Sequence, residues 1–139
     1  MLTVFNLVDA NTTKLMPGIV DLLSHSPHIS KFNGMSTDEI EKEVLRIHQS
    51  GGIVMVLVNA GANDGVVVLE KKNEIEATLV DLVLKEGYLP RGIDVFKSQI
   101  KRRIDREGFT QLFGNSDWYG SVKDPTISGL LINGYAGKQ

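Results

Sequence analysis

The 139-residue sequence contains no cysteine, and this absence removes several classes of chemistry at once. Disulfide bonds, thiolate nucleophiles and zinc sites with cysteine ligands are all excluded. The three histidines do not form the HExxH pattern of zinc proteases, so no metal site is predicted. The chain must therefore fold and function without thiol chemistry.

Long apolar runs and a strong net charge are also missing. The longest apolar run, residues 53–58, is far too short to span a bilayer, and residues 1–7 lack the basic and apolar regions of a signal peptide. The net charge of −2 argues against attraction to nucleic acid or to an anionic membrane. We expect one cytoplasmic domain over residues 1–139, with no membrane contact.

Hydrophobic periodicity and turn residues predict nine elements in the order β-α-α-β-β-β-α-β-α. A loop rich in Gly, Asn and Asp at residues 59–65 predicts a hairpin within a three-stranded meander. This order is typical of an α/β (α+β) domain with a mixed central sheet and helices on both faces. The predicted strands cover residues 2–8, 53–58, 66–70, 75–84 and 110–113, and the predicted helices include residues 15–23, 40–47, 93–107 and 124–135.

The start of the second helix has the strongest local signal. Ser36 and Glu39 have the spacing of a capping box, in which each side chain bonds the backbone N–H of the other residue. Ile40, Val44 and Ile47 then recur at helical spacing and predict one buried face.

The segment from residue 75 to residue 101 is the most informative for function. It predicts a strand, a turn at residues 87–92, and an amphipathic helix. A strand that feeds a helix N-terminus directs backbone N–H groups and the helix dipole at one point, where an anion can bind. Arg91 and Gly92 lie in this turn and suit phosphate contact, through a guanidinium fork and close backbone approach. The alternative is a connection that only needs a flexible residue.

This order of elements resembles the GNAT superfamily of acyl-CoA-dependent N-acetyltransferases. In that family the long fourth strand splays from the fifth, acetyl-CoA lies in the opening, and a turn before the third helix wraps the pyrophosphate. The corresponding strand here is residues 75–84, and the corresponding turn is residues 88–93. Residues 124–135 look like the fourth helix, and their ending Asn133-Gly134-Tyr135 is similar to the Gly-aromatic pair that closes it.

The resemblance implies acetyl-CoA as cosubstrate and a set of residues that bind it. Backbone groups of one strand segment would hold the pantetheine, and the turn would hold the pyrophosphate. The family pattern is not complete, because a glycine or alanine position is occupied by Asp94, whose charge would repel a pyrophosphate. The residues assigned to the cosubstrate are Leu82, Val83, Leu84, Arg91, Gly92, Ile93 and Asp94.

Three residues are candidates for acid–base chemistry. Glu76 and Asp81 lie on the long strand, where a carboxylate could take the proton of an attacking amine. They are five residues apart, so without a bulge they point to opposite faces of the strand. Asp81 is the stronger candidate, because Val80 and Leu82 flank it and would desolvate it. Tyr119 is the candidate acid for the departing thiolate. The alternatives are solvated strand charges and a tyrosine that packs over the sheet end.

Two functions from different classes follow. The first is transfer of an acetyl group to a primary amine of a small molecule or a protein, by direct attack because no cysteine is present. The second is a non-catalytic protein of the same fold that binds and modulates a partner. Small divergent members of this kind resemble bacteriophage proteins, in which case the partner is a host protein in the host cytoplasm. A shortened C-terminal part would also leave a sheet edge for a homodimer.

Overall fold

The computed structural model describes residues 2–27, 30–85 and 90–114. Five strands form one sheet in the order β1-β2-β3-β4-β5. All neighbouring strands are antiparallel except β4 and β5, which are parallel. The expected mixed sheet with a β2–β3–β4 meander is confirmed, whereas the predicted helix at residues 124–135 lies outside the described residues. The strands are β1 Leu2–Asn6, β2 Ile53–Asn59, β3 Ala62–Lys71, β4 Glu76–Leu84 and β5 Gln111–Phe113.

Helices cover both faces of the sheet, as the sequence predicted. Helices α1 (Thr12–Ser24) and α2 (Thr37–Gln49) pack on one face, and α3 (Pro90–Arg106) packs on the other. Side chains alternate between two cores along each strand, because successive residues of a strand point to opposite faces. In the described part of the chain, no helix has the length and apolar character needed to cross a bilayer.

The capping box at the start of α2 is confirmed. Ser36 Oγ accepts from the Glu39 N–H at 3.2 Å, and Glu39 Oε1 accepts from the Ser36 N–H at 3.0 Å. The hydrogen bond from the Ser36 backbone lowers the pKa of the Glu39 carboxyl. Ile40, Val44 and Ile47 are fully buried, so the face predicted from helical spacing is the one that meets the sheet.

The predicted loop at residues 59–65 is wrong, because most of it is strand. The β2–β3 ladder continues to the pair Asn59↔Ala62, which leaves a two-residue turn at Ala60 and Gly61. Both turn residues have positive φ, 51° and 84°, as tight hairpins of primed turn type require. The polar residues after the turn resemble loop residues in sequence but have tertiary roles: Asn63 Nδ2, for example, donates to the C=O of Leu15 in α1 at 3.2 Å.

The connection between β4 and α3 also differs from its prediction. The helix begins at Pro90 rather than at residue 93, so residues 90–92 belong to its first turn. Proline suits the first position of a helix, where its missing N–H has no partner to lose. The sequence pattern predicts Ile93, Phe96, Ile100 and Ile104 on the buried face of α3. The last three are fully buried, whereas Ile93 is half-buried.

Candidate functional site

Strand β4 is paired with β5 over only its first three residues. The parallel pairs run from Glu76↔Gln111 to Thr78↔Phe113, where β5 ends. In the described part of the chain, no strand pairs with this side of β4 from residue 79 to residue 84. We call this stretch of β4 its open edge, meaning that it has no strand partner among the described residues; residues 79–83 are nevertheless buried. The open edge ends close in sequence to the start of α3 at Pro90.

The direction of the backbone groups along this open edge follows from one hydrogen bond. The N–H of Lys85 donates to the C=O of Asp64 on β3 at 2.8 Å. Backbone groups of successive strand residues point to opposite sides, so those of Leu84 and Leu82 point away from β3 and into the opening. Val83, which stands between them, is opposite Val66 and directs its backbone groups to β3.

A β-bulge interrupts β4 just before these residues. Asp81 stands opposite Val68 and Leu79 stands opposite Leu69, so Val80 is an extra residue in β4. The bulge changes which face the later side chains occupy.

Glu76 and Asp81 therefore lie on the same face, which corrects the expectation of opposite faces. Ala77 belongs to the core on the α3 side, so its neighbour Glu76 points to the α1–α2 side. Asp81 stands opposite Val68, which belongs to the core on the α1–α2 side. Without the bulge, the odd spacing of these two carboxylates would have separated them.

The two carboxylates are nevertheless far apart along the strand. Five strand residues correspond to roughly 16 Å. Glu76 lies at the β5 end, where its Oε1 accepts from Asn73 Nδ2 at 3.0 Å. Asp81 is fully buried beside the opening, and its Oδ1 accepts from the N–H of Leu82 at 2.9 Å. Because the Leu82 N–H points into the opening, the Asp81 carboxylate lies at the open edge of β4.

The first turn of α3 is the second feature of the arrangement. The first N–H groups of a helix have no partner within the helix. Since α3 begins at Pro90, which has no N–H, the donors in question belong to Arg91 and Gly92. The N–H of Asp94 is placed to bond the Pro90 C=O within the helix, and the Asp94 side chain is exposed.

Gly65 positions α3 at the end of β4, a role that the sequence did not reveal. A Cβ atom at this position would lie 2.8 Å from Leu84 Cδ2 and 3.2 Å from Phe96 Cε2. The missing side chain therefore lets the last residue of β4 and the buried face of α3 pack together. In the sequence, Gly65 follows Asn63 and Asp64 and resembles a turn residue. Tyr119, the candidate acid, lies outside the described residues.

No protein-family model matches the sequence, and no curated protein sequence matches it significantly. Solved structures do match its fold. The aminoglycoside 6′-N-acetyltransferase of Enterococcus faecium matches with a TM-score of 0.60 and 14% identity over 79% of this chain. The ribosomal-protein-S18-alanine N-acetyltransferase of Escherichia coli matches with a TM-score of 0.58 and 15% identity over 81% of this chain.

A GNAT superfamily phosphinothricin acetyltransferase from Sinorhizobium meliloti, solved in complex with acetyl-CoA, matches with a TM-score of 0.58 and 15% identity over 80% of this chain. The chain spans 59%, 64% and 63% of the lengths of these three structures. The identities are low, so the likeness concerns the fold. The described architecture, from the β2–β4 meander to the parallel β4–β5 pair and the helix that follows β4, is GNAT-like.

Proposed function

We propose that the protein is an acetyl-CoA-dependent N-acetyltransferase that moves the acetyl group to a primary amine of a small molecule or a protein. The open edge of β4, which ends near the first turn of α3, is the observation that carries this proposal. It offers an extended ligand a strand to lie along and offers an anionic group a helix N-terminus. Acetyl-CoA has both parts, an amide-containing pantetheine arm and a pyrophosphate.

The cosubstrate would contact β4 as an added strand does. The backbone groups of Leu82 and Leu84 face the opening and can pair with the amides of pantetheine, while Val83 between them stays in the β3 ladder. The pyrophosphate would lie at the start of α3, against the N–H groups of Arg91 and Gly92, with Ile93 and Asp94 completing the turn.

The chemistry needs one base and one acid. The amine nitrogen attacks the thioester carbonyl, a C–N bond forms, and the C–S bond breaks to release the CoA thiolate. The Asp81 carboxylate, directly or through a water molecule, takes the amine proton. Tyr119 gives a proton to the thiolate. Glu76 is the weaker candidate base, because it lies at the other end of β4 and bonds Asn73. With no cysteine in the chain, the transfer is direct.

One residue favours the second function, a non-catalytic protein that binds a partner. Asp94 is exposed on α3 five residues into the helix, close to the proposed pyrophosphate position. A carboxylate there opposes a pyrophosphate through like-charge repulsion. Acetyl-CoA binding and acetyl transfer must therefore both be measured to separate the two functions.

The first experiment measures the melting temperature with and without acetyl-CoA. A ligand that binds only the folded state raises it by mass action, so a rise is expected if the site binds acetyl-CoA. The second measures CoA thiol release with a chromogenic disulfide across a panel of primary amines. The absence of cysteine from the protein removes the usual background of this assay. Stabilisation with transfer to one amine class supports the enzyme. Stabilisation without transfer favours the binding protein, and no stabilisation rejects acetyl-CoA as ligand.

A further inference from the structure

A second concave site lies on the α1–α2 face of the sheet, above β1 and β2. Its cavity of about 500 Å³ has the size of a small-molecule pocket. One wall comes from the strands, another from the start of α1, and the end is closed by the β2–β3 turn. The lining residues are Thr3, Phe5, Asn11, Lys14, Leu15, Val58, Ala60, Gly61 and Asn63.

This groove is separate from the opening beside β4. Strand β1 is three strands away from β4, which corresponds to roughly 14 Å at the usual strand spacing. Helix α1 packs on β3 and β4 and lies between the two places. A ligand in the groove would therefore occupy a site of its own, whatever binds along β4.

The apolar part of the groove is formed by side chains of a kind that is usually buried in a protein. Phe5 is 42% exposed, although it lies in a strand at the centre of this surface. Ala60 contributes a methyl group from a backbone with a φ of 51°, a conformation in which glycine or asparagine is less strained. Together with Val58, these side chains offer a surface for a flat apolar group.

The charge of the groove has one sign. Lys14 is the single ionisable residue among the described residues that line it, and no acidic side chain lines it there. Lys14 belongs to the first turn of α1, where the helix dipole disfavours a cation. In the part of the chain that the structure describes, Lys14 makes no ion pair. The ammonium group of Lys14 makes the groove attractive to an anion.

We propose that this groove binds a small amphipathic carboxylate. The apolar body of the ligand packs on Phe5 and Val58, and its carboxylate pairs with the ammonium group of Lys14. Thr3 supplies a hydroxyl group at the rim, while the Asn11 amide is held by the Val8 N–H and the Asn6 C=O. The proposal does not depend on acetyl transfer, because none of these residues belongs to the β4 opening.

The test uses 4-phenylbutyrate and its neutral amide as probes, with the full-length protein and amide-resolved NMR. The carboxylate should shift the N–H signals of Lys14, Ala60 and Gly61 and should bind about two- to five-fold more tightly than the amide, as expected for one partly solvated ion pair. Lys14→Glu should remove this preference for the carboxylate. Lys42→Glu on the exposed surface of α2 makes the same charge change outside the groove and should keep it.

A second variant tests the groove by blocking it sterically, without changing its charge. Thr3 is exposed on β1 and lines the groove, so Thr3→Trp should fill it without disturbing the core. Binding of both probes should then be lost while the melting temperature is kept. Equal affinity for the carboxylate and the amide would overturn the assignment of an anionic ligand. Shifts outside the groove, or none with either probe, would overturn the site itself.

Discussion

The buried carboxylate of Asp81 accepts a hydrogen bond from the backbone N–H of the next residue, Leu82, with 2.9 Å between oxygen and nitrogen. This N–H points away from β3, into the opening beside β5. A ligand that pairs with the Leu82 amide must therefore replace the carboxylate oxygen or bind beside it. The same bond holds the carboxylate beside the open edge of β4, where the proposed acetyl transfer requires a base.

We expect Asp81→Asn to reduce acetyl transfer by about 10²–10⁴-fold, the usual contribution of a general base. Asparagine keeps an oxygen for the Leu82 N–H but cannot take a proton, so acetyl-CoA affinity should be nearly unchanged. Steady-state kinetics and calorimetric titration of acetyl-CoA measure the two effects separately. Tyr119→Phe should lower turnover in the same range if this residue is the acid.

The control is Asp21→Asn, which makes the same isosteric change on the exposed surface of α1. It should keep full activity. Full activity in Asp81→Asn would remove the base assignment, and a selective loss in Glu76→Gln would move that role to Glu76.

Local patterns predicted the parts of the fold that local interactions determine. The capping box and the buried face of α2 need only residues three or four positions apart, and both are as the sequence indicated. The order of the elements followed from these patterns and from the positions of the turns. The buried face of α2 was therefore accessible from sequence, as were most buried residues of α3.

The predictions that were wrong concern features that depend on contacts between residues far apart in the sequence. Asn63 and Gly65 are turn-forming residues by composition, but one bonds α1 and the other makes room for α3. The bulge at Val80 exists because β3 and β4 pair with a one-residue offset, and periodicity does not show it. This bulge determines on which face of the sheet Asp81 lies. The sequence therefore indicated Asp81 as a candidate residue but did not predict the direction of its side chain.

Gly18→Ala should destabilise the fold. A Cβ atom at position 18 would lie 2.1 Å from Asn63 Nδ2 and 2.8 Å from Asn63 Cβ, too close for either to remain in place. The expected loss is about 1–3 kcal/mol, the usual cost of overpacking. Denaturant unfolding at constant pH measures the change.

A double variant tests whether this contact is the cause. Asn63→Ala removes the amide group but keeps Cβ, so it should restore part of the stability lost in Gly18→Ala. Strictly additive effects of the two substitutions would show that the glycine acts elsewhere.

The ion pairs around Glu70 should make stability depend on pH. Burial opposes ionisation of Glu70, but hydrogen bonds from Arg46 at 2.6 Å and Lys31 at 3.0 Å outweigh it and lower the pKa of Glu70 below its ordinary value of 4.5. The stabilisation is therefore complete above the unfolded-state pKa and is lost as the pH falls through the lower folded-state pKa. Glu70→Gln should cost up to about 1 kcal/mol at pH 7, since the pairs are partly solvated.

Thermal unfolding across a pH series checks this prediction. The difference between the parent and Glu70→Gln should shrink as the pH falls and disappear once the parent carboxyl is protonated. Glu41→Gln, an exposed position on α2, controls for the change from acid to amide. A difference in stability between the parent and Glu70→Gln that persists at low pH would show that the substitution acts through packing and not through the ion pairs.

The charges at the start of α3 should tune acetyl-CoA binding in opposite directions. Arg91→Ala should weaken binding by roughly 1–3 kcal/mol, the range for a lost charged hydrogen bond. Asp94→Asn removes a negative charge without placing a glycine in the helix, and it should tighten binding by up to about 1 kcal/mol. Calorimetric titration at low and high salt measures both, and the gain from Asp94→Asn should diminish at high salt because exposed charges are screened.

Arg102→Ala provides the matched control on the same helix. It removes one positive charge from an exposed position eleven residues after Arg91, roughly 16 Å along the helix axis. A change in overall charge alone would weaken binding equally in Arg91→Ala and Arg102→Ala, whereas a pyrophosphate at the first turn of α3 predicts a loss in the first variant only. If neither the parent nor Asp94→Asn binds acetyl-CoA, the acetyltransferase proposal is rejected and the second function, a non-catalytic protein of the same fold that binds a partner, is favoured.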